Sequence, residues 1–169
     1  MKQTLKYILS LVTDNLKIAE NKHGMLLALS SGLVVITVGF FSYSNTIIII
    51  LNWLVIFFAS LSIFCCFMGL FSRQIRLNFK HNMLNNISLL YYKDLALLSP
   101  TELLNCIIIQ YGFPRDYVCD GFENDLAKQI IANSKVAYKK YLFFNYSVIF
   151  LGVALFLDII LMAIVGMVA

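Results

Sequence analysis

Charged residues are scarce in this sequence. Only 13% of its 169 residues are Asp, Glu, Lys or Arg, whereas ordinary soluble domains carry about 25%. Because 60% of the residues are hydrophobic, a soluble protein of this length could not cover its apolar surface with so few charges. The composition therefore excludes an ordinary soluble domain and indicates an integral membrane protein.

Motifs of common enzymes and metal sites are also missing. The sequence has no nucleophile elbow, Walker loop, zinc-protease motif or dinucleotide-binding motif. It contains four cysteines: Cys65, Cys66, Cys106 and Cys119. Their spacing matches neither a zinc site nor a disulfide framework, which favours a reducing compartment. The histidines His23 and His81 stand without a partner motif. We therefore predict no catalytic residues, no metal site and no cofactor.

Three apolar runs are long enough to cross a bilayer, which takes about 17–25 residues, although the first run is at the short end of this range. The first two are joined by the polar turn Ser42–Asn45. We predict an all-α integral membrane protein with three transmembrane helices whose cytosolic extensions form a small helical base. The predicted parts are a cytosolic amphipathic helix (1–24), a transmembrane hairpin (25–71, with helices at about 25–41 and 47–71), a cytosolic helical region (72–141) and a third transmembrane helix (142–169).

The basic residues predict the orientation. All thirteen Lys and Arg lie outside the apolar runs, either before the first run or between the second and the third. By the positive-inside rule, the N-terminus and the central region lie in the cytoplasm and the C-terminus lies outside. A net charge of +4 could also indicate nucleic-acid or anionic-lipid binding, but membrane topology explains it first.

Apolar residues recur at three- and four-residue intervals in the polar segments, which predicts amphipathic helices that continue the membrane helices. These residues are Leu5, Ile8, Leu9, Val12, Leu16 and Ala19; Ile75, Phe79, Met83, Ile87 and Leu90; and Leu126, Ile130, Ala137 and Tyr141. The N-terminal helix could lie flat on the membrane. We predict instead that it packs against the other segments, because their apolar stripes match it.

The segment Ser99–Glu102 has the pattern of a helix start. Ser99 can accept a hydrogen bond from an orphan backbone N–H, Pro100 suits the first helical position, and Glu102 occupies the capping-box position. The same helix is predicted to end near Gly112, before Pro114.

Three polar residues lie within the apolar runs. Asn52 and Asn145 could join helices by hydrogen bonds within the membrane. Asp158 is the most unusual, since a carboxylate in the bilayer is costly. It could extend to the outer surface, or it could serve helix association or a polar path across the membrane.

Three stretches together resemble a known family. They are Asn15–Lys22 running into Met25–Gly32; Leu89–Ala96 followed by Ser99–Leu104; and Asp125–Tyr141, which contains L-A-K-Q, S-K-V-A and K-Y. In this order and spacing they are similar to the transmembrane effector family of the Pycsar anti-phage defence systems, related to membrane effectors found beside cyclic-nucleotide synthases. One departure is His23, which stands where the family has a small residue.

The resemblance implies a cyclic-nucleotide-gated cell-death effector. A partner cyclase would sense infection and make a cyclic nucleotide of the cyclic CMP or cyclic UMP class. The effector would bind it on its cytosolic side and impair the bacterial inner membrane, which causes abortive infection. The implied partners are this nucleotide, the lipid bilayer and further copies of the chain, with no nucleic-acid polymer.

A cyclic nucleotide requires cations for its phosphate and a flat or hydrogen-bonding surface for its base. On positions that match the family pattern, the candidates are Glu20, Asn21, Lys22, Asn133, Ser134, Lys140 and Tyr141. Arg73 and Arg76 flank the second membrane helix and could add positive charge. Basic residues at these places also determine the topology, and Tyr141 could be an interface anchor instead of a stacking surface.

Two other functions stay open. A constitutive channel or transport subunit would need polar residues along one membrane face. A membrane scaffold that docks a cytosolic protein would need an exposed apolar patch on its base.

Overall fold

The computed structural model describes residues 1–42, 45–72, 88–114 and 116–168. All regular elements in these ranges are helical, which confirms the predicted all-α fold class. They are α1 (Lys2–Val38) followed by a short 3-10 helix (Gly39–Ser42), α2 (Thr46–Leu70), α3 (Tyr92–Leu95), α4 (Pro100–Gln110) and α5 (Gly121–Val168). Among them, α1, α2 and α5 are long and apolar enough to cross a membrane.

The chain divides into two compact units. One, here called the base unit, comprises residues 1–19 and 72–140, and the other, called the span unit, comprises residues 20–71 and 141–169. Helices α1 and α5 each contribute residues to both units.

The core of the base unit is built from the predicted apolar stripes. Helices α1, α4 and α5 contribute its main side chains: Leu5, Ile8, Val12, Leu103, Leu104, Ile107, Leu126, Ile130 and Ile131. Burying one such Leu or Ile contributes about 1.5–3 kcal/mol. The prediction that the N-terminal helix packs against the other segments is therefore confirmed. Of the stripe predicted over Ile75–Leu90, residues 75 to 87 lie outside the described residues. Leu90 is exposed, so the prediction that Leu90 lies on a buried face is wrong.

Helix α4 begins and ends where the sequence predicts. The Ser99 hydroxyl accepts a hydrogen bond from the Glu102 backbone N–H (3.3 Å), and the Ser99 N–H donates to Glu102 Oε2 (2.7 Å). These bonds complete the predicted capping box and lower the pKa of Glu102. At the other end, Gly112 adopts a positive φ of 72°. This lets the Phe113 N–H reach the Ile108 carbonyl at 3.0 Å.

A second capping box, which we did not predict, starts α5. The Asp120 carboxylate accepts from the Glu123 N–H (2.8 Å), and the Asp120 N–H donates to Glu123 Oε2 (3.1 Å). The Tyr117 hydroxyl donates to the buried Glu123 carboxylate (2.9 Å). The Lys2 ammonium lies 2.6 Å from Asp120 Oδ2 and therefore links the start of α1 to the start of α5. The hydrogen bond and opposite charge of this pair raise the pKa of Lys2 and lower that of Asp120.

The span unit packs small and branched apolar side chains inside and places large ones outside. Its inner clusters are built from Leu26, Leu33, Val55, Ala59, Leu151 and Ala154, and from Ile48, Leu161 and Val165. The exposed residues include Trp53, Phe64 and Ile159. An apolar exterior of this kind suits lipid, in which a helix satisfies its own backbone hydrogen bonds.

Candidate functional site

Five residues of the span unit meet at the start of its α1 segment and form what we call the membrane-proximal cluster: Lys22, His23, Gly69, Tyr141 and Phe144. The exposed Lys22 ammonium lies 5.4 Å from the ring centroids of both Tyr141 and Phe144. At this distance each aromatic face attracts the cation. The cluster thus holds an accessible positive charge beside two aromatic rings.

His23 lies beneath this charge and is fully buried. Its imidazole meets the Phe144 ring edge to face, with the centroids 5.9 Å apart. On the opposite helix, a Cβ atom added at Gly69 would overlap the His23 ring. Because Gly69 has no side chain, α2 leaves room for an imidazole at this level.

The cluster combines the two chemistries that a cyclic nucleotide requires. An ammonium can neutralise a phosphodiester charge, and an aromatic face can stack on a base. The cation–π contacts orient Lys22 but leave it solvent-accessible, so an anion can approach it.

Deeper in the span unit, hydroxyl groups from all three helices converge, which the sequence analysis missed. The Oγ atoms of Ser30 and Ser62 are 2.9 Å apart, and those of Ser62 and Ser147 are 2.8 Å apart. Ser62 and Ser147 also donate to each other's carbonyl oxygens at 3.0 Å, and Cys66 Sγ lies 3.0 Å from Ser147 Oγ. Such hydrogen bonds join helices in a medium that offers no competing water.

Beyond the membrane-proximal cluster and the serine hydroxyls, two of the predicted intramembrane residues, Asp158 and Asn52, are also buried in the span unit. The Thr37 hydroxyl lies 3.5 Å from Asp158 Oδ1, and Asp158 is 7% exposed. It therefore does not extend to the outer surface, which leaves a role inside the bundle. Asn52 is fully buried, and neither of its amide atoms has a hydrogen-bond partner among the described residues. Asn52 therefore joins no helices through hydrogen bonds to the described residues. Asn145, in contrast, is exposed, and its role in helix association stays a prediction.

The comparisons with known proteins decide the family. Residues 4–169 match the Pycsar effector protein domain. The chain belongs to the Pycsar effector family. No curated protein and no solved structure matched it.

This membership confirms the resemblance found in the sequence. A Pycsar effector acts in anti-phage defence and responds to a cyclic-nucleotide signal that a partner cyclase makes. With three helices that can cross a membrane, this effector is a membrane protein. The domain is not a known class of enzyme.

In this Pycsar effector, the structure brings two of the predicted ligand residues, Lys22 and Tyr141, into contact. Glu20 and Asn21 are exposed on the turn of α1 that precedes the cluster. Arg73 and Arg76 lie outside the described residues.

Three further candidates, Asn133, Ser134 and Lys140, lie on the part of α5 that belongs to the base unit. Asn133 is half-buried, and Lys140 is 4% exposed. Ser134 is fully buried, and its hydroxyl has no hydrogen-bond partner among the described residues. The sequence carried no signal for the roles of His23 and Gly69, because their contact joins residues that are distant along the chain.

Proposed function

We propose that this Pycsar effector detects a pyrimidine cyclic nucleotide, of the cyclic CMP or cyclic UMP class, and then disrupts the bacterial inner membrane, so that the infected cell dies before phage mature. The match of residues 4–169 to the Pycsar effector domain carries the proposal. The arrangement of charges and aromatic rings in the membrane-proximal cluster supports it.

The ligand would bind on the cytosolic side. The thirteen basic residues of the chain precede the first apolar run or lie between the second and third. By the positive-inside rule, this distribution supports a cytoplasmic N-terminus and base unit and a C-terminus outside. Lys22 lies shortly before the first run, with His23 and Gly24 in between, and Tyr141 directly precedes the third run. The membrane-proximal cluster then lies at the cytosolic face of the bilayer.

Two residues of the cluster contact the nucleotide in this proposal. The Lys22 ammonium pairs with the cyclic phosphate, and the Tyr141 ring stacks on the pyrimidine. Lys22 lies 5.4 Å from the Tyr141 ring, so a nucleotide that uses both groups must alter the contact between α1 and α5 within the span unit. A ligand that binds one arrangement of helices better than another shifts the equilibrium toward it.

Disruption of the membrane would require several copies. Three helices of one chain close around a packed interior, and a passage through the bilayer needs a larger ring or a rearranged bundle. We therefore propose a homo-oligomer, whose closed symmetry follows the usual rule for identical subunits.

The test is membrane integrity in cells that express the effector with and without a pyrimidine cyclase. A potential-sensitive dye reports depolarisation, and propidium uptake reports wider damage. The expected result is depolarisation only when the active cyclase is present, with a catalytically dead cyclase as the matched control. Equal depolarisation with the dead cyclase would indicate a constitutive channel, and intact membranes with every cyclase would favour a scaffold.

A further inference from the structure

The buried polar residues of the span unit follow a regular pattern. In α1 they are His23, Ser30 and Thr37, spaced seven residues apart. In α2 and α5 they are Asn52 and Ser62, and Ser147 and Asp158, spaced by ten and eleven residues. Intervals of seven and eleven residues approximate whole helical turns, and the interval of ten leaves Asn52 and Ser62 about 80° apart around the axis of α2. Each helix therefore keeps its buried polar residues on the side that faces the other two. The interior of the span unit is therefore a polar seam inside an apolar bundle.

Thr37 and Asp158 are in contact, and the packing of its neighbours in α2 places Asn52 next to Asp158. We call these three residues the acidic layer. In α2, Asn52 lies between Ile48 and Val55. Ile48 packs with Leu161, and Val55 belongs to the cluster that contains Ala154; these two residues bracket Asp158 in α5. The Thr37 hydroxyl contacts Asp158 directly at 3.5 Å.

The acidic layer does not satisfy its own polar groups. The single hydroxyl proton of Thr37 is donated to the Leu33 carbonyl at 2.8 Å. The longer contact with Asp158 therefore stabilises the carboxylate only weakly. Asp158 forms no ion pair with any described residue, and the Asn52 amide bonds to none. A buried polar group without a partner costs about 1–3 kcal/mol, and a Leu at position 52 would avoid that cost. Packing alone does not explain these residues.

The atoms of the layer suit a cation. A carboxylate, a hydroxyl and an amide oxygen are hard ligands of the kind that alkali and alkaline-earth cations prefer over transition metals. Acidic side chains in a membrane pathway also favour cations over anions. With one carboxylate in the layer, the charge matches a monovalent ion.

We propose that Thr37, Asn52 and Asp158 form a binding site for a monovalent alkali cation, and that this site makes the membrane leak of the active effector selective for cations over anions. The second part rests on the proposed function, because it concerns a leak that a cyclic nucleotide opens. The first part concerns the resting protein and does not depend on it.

The first experiment measures the site without any leak. The full chain is purified in detergent, and its melting temperature is compared in potassium or sodium chloride and in choline chloride of equal concentration. Choline has the same charge, but its methyl groups keep its nitrogen from direct contact with oxygen ligands. A cation at about ten times its dissociation constant raises the melting temperature by about 3 °C. The shift is expected in the wild type and in Asp125→Asn, whose carboxylate is exposed in the base unit, but not in Asp158→Asn or Asn52→Leu. Equal melting temperatures of the wild type in all three salts would overturn the site.

The second experiment measures selectivity in a planar bilayer with a potassium chloride gradient and added cyclic CMP or cyclic UMP. The reversal potential is expected to show a preference for K⁺ over Cl⁻ of roughly tenfold or more. Asp158→Asn should bring the permeability ratio of K⁺ to Cl⁻ close to one, whereas Asp125→Asn should leave this ratio unchanged. A wild-type current without selectivity would overturn this part and leave the proposed function intact. Absence of any current would contradict the proposed function, and the melting experiment would still decide the site.

Discussion

The imidazole of His23 occupies the space that a side chain at position 69 would require. The two residues form a large–small pair between α1 and α2, in which the ring is fully buried and Gly69 makes the close approach possible. The family pattern has a small residue where this chain has His23, and Gly69 provides the physical reason that the larger side chain fits.

Adding a side chain at Gly69 should therefore destabilise the span unit. A Cβ atom there would overlap a ring that is enclosed by protein, and overpacking of this kind typically costs about 1–3 kcal/mol. Gly69→Ala is expected to lower the melting temperature of the protein in detergent. His23→Ala should restore much of the loss when it is combined with Gly69→Ala.

Gly152 provides the matched control, because it also lies in a membrane helix and a Cβ there would meet nothing within 4 Å. Gly152→Ala should be neutral or slightly stabilising, since Ala favours a helix over Gly. Similar losses for the two substitutions, or additive losses in the His23/Gly69 double variant, would contradict the pairing.

The hydroxyl of Ser62 should contribute measurably to helix association. It contacts the hydroxyls of Ser30 and Ser147 and the Ser147 carbonyl, and an interhelical hydrogen bond in a membrane contributes about 0.6 kcal/mol on average. Ser62→Ala is expected to lower the free energy of unfolding in detergent by about 1 kcal/mol. Ser31→Ala should have little effect, because Ser31 is exposed and bonds within its own helix. Equal effects of the two variants would contradict a central role for Ser62.

The pair Lys2–Asp120 predicts sensitivity to acid. The folded pKa of Asp120 lies below its ordinary value because Lys2 and the Glu123 N–H stabilise its charge. Its contribution to stability is therefore present above about pH 3.9, the unfolded value, and is lost as the pH falls through the lower folded pKa. Lys2, whose pKa is raised, loses its contribution only in strongly alkaline solution.

Melting temperatures between pH 6 and pH 3 test this pair. Asp120→Asn should melt at a lower temperature than the wild type at pH 6. Its melting temperature should fall less than that of the wild type when the pH is lowered to 3. Added salt should reduce the difference in melting temperature between the wild type and Asp120→Asn at pH 6, because Lys2 and Asp120 are both exposed and salt screens their attraction. Asp125→Asn, which removes another exposed carboxylate that is paired within its own helix, serves as the control. An unchanged acid profile in Asp120→Asn would contradict the assignment.

Lys22 and Tyr141 should govern the nucleotide response if they bind the ligand. Lys22→Ala is expected to raise the cyclic-nucleotide concentration needed for depolarisation at least about tenfold, the effect of losing one charge-assisted hydrogen bond. Tyr141→Leu should weaken the response by removal of the stacking surface, whereas Tyr141→Phe should retain it. Lys17→Ala is the control, since Lys17 is exposed on α1 and pairs with Asp14. Equal responses of Lys22→Ala and Lys17→Ala would exclude Lys22 from the site.

Local patterns predicted the parts of the fold that depend on neighbouring residues. The capping box of Ser99 and Glu102 and the turn at Gly112 are defined by side chains a few positions apart. The same rule applied to Asp120–Glu123 would have found the start of α5, because Asp at the N-cap and Glu three residues later is the same signature.

Contacts between distant residues could not be read in this way. Ser30, Ser62 and Ser147 are single weakly polar residues in three apolar runs, and only the register between helices brings their hydroxyls together. For the same reason the sequence drew attention to Lys22 and Tyr141 through the family pattern, but not to the ring of Phe144 that shares the Lys22 ammonium.

Potassium efflux from liposomes that contain only the purified effector tests most directly whether a cyclic nucleotide opens the membrane. Efflux is recorded with a potassium electrode before and after cyclic CMP or cyclic UMP is added, with the corresponding linear nucleotides as controls. We expect tight liposomes at first, and efflux that begins when a cyclic pyrimidine nucleotide is added and that is weaker in Lys22→Ala. Efflux that is the same without nucleotide, or no efflux with either cyclic nucleotide, would contradict the proposed function.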